Sequence, residues 1–354
     1  MTDDVIVGNQ VIGDFANALH ANGFSAGRLR PWYDVNKRKC FINVNGKAVE
    51  YSNLAMNATL RKDEWQEIDS AVLEVAQERL VGVRDLLQAG LLKTLSQGIG
   101  ATVFQWETVS DFDEAGVSMD AVTDHVGDRP KFKLESMPVP VIHKEFEFNS
   151  RQLDASRNRG ETLDVTSVRS ATRQVTEKQE DMLFNGADSF TFDGGSLYGY
   201  TTFPQRNSVT SADGKKWDDP AKTGEEILAD VLALITANDN ANHFMDSKLY
   251  IPRAYDRVLD NDFKADSDKT IRQRLLEIRG IMGIEPADRL TADQVVLVEM
   301  NREVVQLVQG MPLTTVQWSE NFGFREKFKV MIIQVPNLRA DQNGQTGIAH
   351  MDLS

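Results

Sequence analysis

A chain of 354 residues, 41% hydrophobic and 26% charged, can bury two or three lobes, and it has no run of about 18 apolar residues to cross a bilayer as a helix. Its net charge of −14 repels phosphate, which argues against tight DNA binding as the main task and leaves solubility and controlled association. The single cysteine, Cys40, excludes an intrachain disulfide framework and every multi-cysteine metal site, and the acidic start MTDDVIVGNQ lacks the positive charge of a secretory signal.

Residues 1 to about 60 mix short apolar pieces with Gly, Asn and isolated aromatics, Trp32, Tyr33 and Phe41 among them, and read as an extended arm. From Thr59, the apolar positions Leu60, Trp65, Ile68, Val72, Val75, Leu80, Val83 and Leu86 recur every three or four residues and predict one amphipathic helix ending near Gly90. TVFQWETV, a long polar excursion and RPKFKLES then predict an extended hairpin that packs on something other than its own core. The apolar strand PVPVIHKEFEF leads through the polar bend SRQLDASRNRGETLD to a charged helix over 163–185, where Val165, Val168, Ala171, Val175, Met182 and Leu183 form a narrow stripe. At 1.5 Å per residue this rod is about 35 Å long.

A Gly- and aromatic-rich turn, FTFDGGSLYGYTTFPQRN, and the polar loop NSVTSADGKKWDDPAKTG precede a second helix over Gly224 to Ala237, whose buried face is Ile227, Val231, Leu232, Leu234 and Ile235. KLYIPRA, AYDRVLDND, TIRQRLLEIRGI, DQVVLVEMN and EVVQLVQGM then read as strand, helix, helix, strand and strand, an α/β lobe. The final stretch, TTVQWSE, FREKFKVMIIQVPNL and TGIAHMDL, is strand-like, with Pro336 ending its strand or placing it at an edge.

Motifs for chemistry are sparse. The five histidines, His20, His125, His143, His243 and His350, have no partner at metal-ligand spacing and read as surface or packing residues. In GGSLYG, Tyr198 stands where a nucleophile elbow needs its second glycine, so Ser196 reads as part of a tight turn. DNDFKADSD lacks the central Gly and closing Glu of a calcium loop, and no phosphate-cradling GxxxxGK[ST] or GxGxxG occurs. Arg157 and Arg159 could meet phosphate, pair with carboxylates of another subunit, or face solvent.

The stretch VPVIHKEFEFNSRQLDASRNRGETLDVTSVRSATRQVTEKQEDMLFNG resembles the central backbone of HK97-type shell proteins, the fold of tailed-phage major capsid proteins and encapsulins. The matching details are the Arg151, Gln152, Leu153, Asp154 core of a short helix and the closing Glu180, Asp181, Phe184 and Gly186 of a long one. LYGYTT resembles the turn that follows, and Trp65, Ile68, Asp69, Arg79, Leu80 and Val81 resemble the N-terminal encapsulin helix. The resemblance implies an α+β, HK97-like capsid fold. Its parts would be an N-arm (1–60), an N-terminal helix region (61–97), an E-loop hairpin (98–137), a peripheral domain (138–198 and 312–354) with a spine helix over 163–185, and an α/β axial domain (199–311).

Such a protein acts by assembling. The resemblance implies pentamers and hexamers that build an icosahedral phage head, assembled in the host cytoplasm around double-stranded DNA that is contacted weakly and without sequence specificity. Scaffolding, portal and decoration proteins are further partners; no catalytic residue, metal, cofactor or membrane is expected. The long arm before the Trp65 helix and the polar insertion Asn207 to Thr223 favour a phage head over an encapsulin compartment shell. A third reading, an α/β enzyme, requires a polar pocket in the 199–311 lobe. Extended arms and hairpins bury surface on neighbours, and aromatics and Arg anchor such contacts. Trp32, Tyr33, Phe41, Phe104, Trp106 and Phe132 are therefore expected at subunit contacts, with Arg129, Lys131 and Lys133 pairing with a neighbour's carboxylates; the alternative for the aromatics is the core of an irregular N-terminal domain.

Overall fold

The computed structural model describes residues 32–34, 36–37, 39–44, 47–50, 60–96, 98–109, 119, 131–149, 151, 165–264, 268–320 and 325–354. The chain begins with strands β1 (Trp32–Asp34), β2 (Lys39–Val44) and β3 (Lys47–Glu50), helices α1 (Lys62–Arg79) and α2 (Gly82–Gln88), and strand β4 (Leu92–Thr94). Next come β5 (Val103–Val109), β6 (Phe132–Pro138), β7 (Ile142–Asn149), the long helix α3 (Thr166–Phe184), β8 (Ala187–Phe192), β9 (Gly195–Leu197) and β10 (Asn207–Val209). The last part holds α4 (Gly224–Asn240), β11 (Ser247–Pro252), the single turn α5 (Arg253–Asp256), α6 (Ile271–Leu276), β12 (Ile281–Ala287), β13 (Gln294–Glu299), β14 (Val305–Glu320), β15 (Arg325–Leu338) and β16 (Ile348–Asp352).

Two compact units result. The first takes residues 1–102, 139–181 and 307–335. Its four-stranded sheet runs β4-β14-β15-β7, with β14 parallel to β4 and β15 antiparallel to β7. Phe328 on β15 is the aromatic centre: Phe146 stacks on it at 5.2 Å, and Phe148 and Trp65 meet it edge-on at 5.4 and 6.1 Å. Trp32, Leu60, Ile68, Val72 and Val168 close the cluster around these rings. Offset and edge-to-face pairs of this kind add about 0.5–1.5 kcal/mol beyond the area they bury.

The second unit takes residues 103–138, 182–306 and 336–354 around a five-stranded sheet, β10-β16-β13-β11-β12. Strand alternation gives this sheet two buried faces. On one, Leu249, Ile251, Val295, Leu297, Ala349 and Met351 pack with Ile227, Val231 and Leu234 of α4. On the other, Tyr250 stacks on Tyr200 at 6.1 Å and meets Phe184 edge-on at 5.2 Å. Helix α4 starts at the expected Gly224, where Thr223 and Glu226 form a capping box, the Thr223 amide donating to Glu226 Oε2 at 2.7 Å. Gly186, in the left-handed region at φ 76°, lets the chain leave α3 and run against Gly199, whose amide nitrogen lies 2.5 Å from where a Cβ on Gly186 would stand.

The structure corrects several boundaries. The single helix expected from Thr59 to Gly90 is two, because the Glu180 carboxylate accepts the amides of Val81 (3.1 Å), Gly82 (2.6 Å) and Val83 (3.3 Å) in place of carbonyls one turn back. EVVQLVQGM and TTVQWSE form one strand, β14, so the expected border at 311/312 falls inside it. Ile348–Asp352, assigned to the peripheral part by its position in the chain, pairs with β13 and β10 in the second unit's sheet. AYDRVLDND yields only α5 and a 3-10 turn at Val258–Asp260. Of the expected 163–185 helix, residues 163 and 164 lie outside the described residues, and α3 ends at Phe184. Pro336 sits inside β15, beyond Ile332, where pairing with β7 stops, so no hydrogen bond to β7 is lost there.

Candidate assembly surfaces

The β5–β6 hairpin has two dissimilar faces. Its register pairs Phe104 with Met137, Trp106 with Glu135 and Thr108 with Lys133 on one face, and Glu107 with Leu134 and Val109 with Phe132 on the other. The first face is partly covered by its own chain, Phe104 and Met137 being buried and Lys133 exposed. Gln342 donates from Nε2 to the carbonyls of Thr108 (3.2 Å) and Lys131 (2.7 Å), and Gly195 approaches so closely that a Cβ there would lie 2.7 Å from the Ser136 carbonyl. A groove of about 540 Å³ remains beside it, lined by Trp106, Tyr198, Pro204, Arg339 and Asp341 among others. The second face exposes Phe132 (64% accessible), Leu134 and Val109 together.

This geometry sorts the residues expected at contacts. Phe132 is presented outward, and Lys131 is exposed. Trp32 (8% accessible) and Phe104 (6%) are covered largely by their own chain, Trp32 stacked on Phe41 at 6.0 Å and Phe104 on Trp106 at 5.7 Å. Phe41 and Trp106 are half-buried in those pairs. Tyr33 is also half-buried, its amide bonded to the Leu60 carbonyl at 2.9 Å. Lys133 pairs with Glu135 of its own strand at 2.5 Å, where a neighbour's carboxylate was expected. Arg129, Arg157 and Arg159 lie outside the described residues. Leu134 and Val109 were missed by reading for aromatics; the alternation of Phe132 and Leu134 was the available signal.

Several polar groups of the second unit are engaged with one another. Lys222, its side chain fully enclosed, reaches Asp213 at 2.6 Å and Asp230 at 2.8 Å, and Asp230 also accepts from Ser211 (2.8 Å) and from Trp217 Nε1 (3.0 Å). Lys216 and Tyr255 both bind Asp293, at 2.6 and 2.9 Å. These contacts fasten the polar insertion around Trp217 to α4 and the sheet. The neighbouring groove of about 520 Å³ is lined by Asp218, Asp219, Lys222, Glu225, Phe263 and Lys264, and its Lys264 and Glu225 pair with each other.

His243 lies 3.1 Å from Glu299, His350 is buried with Arg206 donating to its Nδ1 at 3.2 Å, and His143 is exposed on β7; His20 and His125 lie outside the described residues. Ser196 sits on β9, just after a turn with Asp193 and Gly194 at positive φ. Among the described residues no group of three His, Cys, Asp or Glu side chains is placed to hold a metal, and no helix is long and apolar enough to cross a membrane.

A long helix beside a four-stranded sheet in one unit, and a hairpin with an α/β sheet in the other, define a class. The chain has the HK97 capsid fold. It aligns with the virus-like particle protein of Pyrococcus furiosus at a TM-score of 0.58 and 17% identity, covering 81% of this chain and 98% of that one. It also aligns with the capsid of Myoviridae phage XM1 at 0.57 and 14%, covering 75% and 90%. In sequence it is 26% identical over 257 residues to the type 1 encapsulin shell protein EncA of Myxococcus xanthus, spanning 72% of this chain and 82% of EncA. A match to the diheme-cytochrome-encapsulin shell fusion protein of Kuenenia stuttgartiensis, 24% identical over 142 residues, spans 37% of that protein. The profile of a family of unknown function, DUF6260, matches residues 53–351, and the chain belongs to that family.

Proposed function

We propose that the chain is the repeating subunit of a closed icosahedral shell, the major capsid protein of a tailed-phage head that forms from pentamers and hexamers around double-stranded DNA. The observation that carries the shell role is the outer hairpin face, where Val109, Phe132 and Leu134 stand together in solvent on a fold shared with capsid proteins. Contiguous apolar surface on a polar chain marks a contact site, and a hairpin that extends from its subunit buries such a face on a neighbour. The net charge of −14 suits a wall that confines nucleic acid without gripping it. Scaffolding, portal and decoration proteins belong to this reading as partners; it requires no catalytic step.

A specific observation favours a second reading, the shell of an encapsulin-type compartment: the similarity to EncA spans most of that protein. Particles recovered from the native source separate the two. Electron microscopy is expected to show closed shells, and nuclease treatment to leave protected double-stranded DNA inside them. Shells that hold a protein cargo and no DNA establish the compartment, and a chain that stays monomeric at high concentration overturns both.

A further inference from the structure

The groove beside the first face of the β5–β6 hairpin lies wholly within the second unit, and the fold does not use all of its polar side chains. Asn337, near the end of β15, lines it at 1% exposure. Among the described residues neither Asn337 Nδ2 nor Asn337 Oδ1 has a hydrogen-bond partner. A buried amide left this way is costly to the folded chain, so its place in a groove points to a partner from outside. Arg339 is half-buried in the same groove, and among the described residues its guanidinium meets no carboxylate. Gln342 directs its Nε2 to the Thr108 and Lys131 carbonyls, at 3.2 and 2.7 Å, and no described residue donates to its Oε1.

The walls are fixed. Trp106 is stacked on Phe104 at 5.7 Å and Tyr198 meets Phe203 edge-on at 6.3 Å, so both rings line the groove in set positions. The turn that carries Gln342 is closed on itself: the Asp341 amide donates to the Gln345 carbonyl at 2.9 Å, and Asp341 Oδ1 accepts the Gln345 amide at 2.7 Å. A rigid groove with unsatisfied groups binds without first having to order itself.

Donors and acceptors decide what fits. The oxygens of Asn337 and Gln342 need donors, the Asn337 Nδ2 needs acceptors, and Arg339 presents a plane of N–H donors. A simple anion would serve the donors and set negative charge against both oxygens. A cation would serve the oxygens and be repelled by Arg339. A hydroxyl both donates and accepts, so two adjacent hydroxyls match the two halves of a side-chain amide. The C–H face of a sugar ring, slightly positive, packs on the negative face of an aromatic ring.

We propose that this groove is a saccharide-binding site for a short acidic oligosaccharide. Asn337 and Gln342 pair with ring hydroxyls, Arg339 with the carboxylate of a uronic acid, and Trp106 and Tyr198 carry the apolar ring faces. The volume of about 540 Å³ falls within the range of small-molecule sites. A nucleotide would bring a doubly charged phosphate to a groove that already holds Glu135 and Asp341, on a chain of net charge −14. The site is independent of whether the shell is a phage head or a compartment.

The test passes the full-length chain over an array of mono- to trisaccharides, neutral and uronic-acid-bearing, with nucleoside monophosphates and acidic tripeptides on the same surface. Retention on at least one uronic-acid-bearing saccharide is expected, with none on the nucleotides or peptides. Retention on no saccharide overturns the proposal. Equal retention on nucleotides or peptides also overturns it, because the groove would then be a general anion site.

Substitution supplies the second arm. Asn337→Leu replaces the amide by an apolar group of similar shape, so retention is expected to fall about tenfold or more while the melting temperature does not fall. Arg339→Met is expected to erase the preference for a uronic acid over the matching neutral sugar and to spare the neutral one. Wild-type binding by Asn337→Leu, or an undiminished uronic-acid preference in Arg339→Met, overturns the assignment. A lowered melting temperature or failure to fold in Asn337→Leu would place the partner of that amide within the fold and counts against the site in the same way.

Discussion

The long helix of the first unit and the main helix of the second lie on their sheets in opposite chemical styles. Helix α4 buries Ile227, Val231 and Leu234 against aliphatic strands, and its two buried polar residues, Asp230 and Asn238, bind the insertion and the chain backbone at its margins. Helix α3 buries Val168, Ala171, Val175, Met182 and Leu183 too, but beside them it buries Thr172, Thr176, Gln179 and Glu180, and the sheet of its unit buries Gln309, Gln317, Glu326 and Gln334. The threonines bond carbonyls of their own helix, at 2.8 Å for Thr172 and 3.1 Å for Thr176. Gln179 pairs with Gln334, which donates to Gln309 at 3.0 Å. An apolar contact surface fails by degrees as atoms are removed, whereas a polar seam fails when one partner is lost and the other stays buried.

The largest effect is expected where a pair of charges is buried in the second unit. Asp230→Ala leaves the enclosed Lys222 with one fewer carboxylate and strips Trp217 Nε1 and Ser211 of an acceptor. The expected loss is about 3–5 kcal/mol by urea unfolding, the range for breaking one side of a buried pair. Lys222→Met combined with Asp230→Leu should cost far less; a double variant as unstable as the single one would show that the insertion depends on the charges themselves.

Next in size is a difference in pH response. Burial pushes the Glu180 carboxyl up to about 7, against the pull of the Gly82, Val83 and Val81 amides and with a further push from Asp85, itself 3.8 Å from Arg84. A carboxyl raised from 4.5 binds its proton more tightly when folded, so its contribution is greatest below pH 4.5 and declines as pH rises through 7. His350 runs the other way. Burial, then the Arg206 guanidinium, lowers it from 6.5 to about 4, so its contribution is full above pH 6.5 and is lost as pH falls through 4.

Each unit of separation between folded and unfolded values is worth about 1.4 kcal/mol. Hydrogen-exchange protection, corrected for intrinsic rates, is therefore expected to rise around α2 between pH 7 and 4.5 while it falls around β16. Glu180→Gln should flatten the first slope and leave the second; equal slopes in both units would erase the contrast.

What was legible in the sequence follows the same division. The spacing of Ile227, Val231 and Leu234 announces α4 almost to its first residue, because an apolar period is local. The break between α1 and α2 was not legible, since its cause is a carboxylate 98 residues from Gly82 in sequence. The apolar period runs unbroken through Leu80 and Val83. The pairing of Ile348–Asp352 with β13 is likewise decided by register across the chain. Phe104 and Phe132 look alike as isolated aromatics, and only the pairing of β5 with β6 puts them on opposite faces.

The smallest expected effect tests the seam most sharply. Gln179→Leu alone leaves the Gln334 amide buried and short of a partner, and Gln334→Leu alone does the same to Gln179 and Gln309. Each single change is expected to cost about 1–3 kcal/mol, the penalty for an unsatisfied buried group. The triple change Gln179→Leu, Gln309→Leu and Gln334→Leu removes the whole network and replaces it with apolar atoms of similar volume, so its cost should fall within about 1 kcal/mol of zero. Thermal unfolding of all four chains checks the cycle. Additive losses would mean that the glutamines contribute through packing alone, and the contrast between α3 and α4 would then be one of composition without energetic consequence.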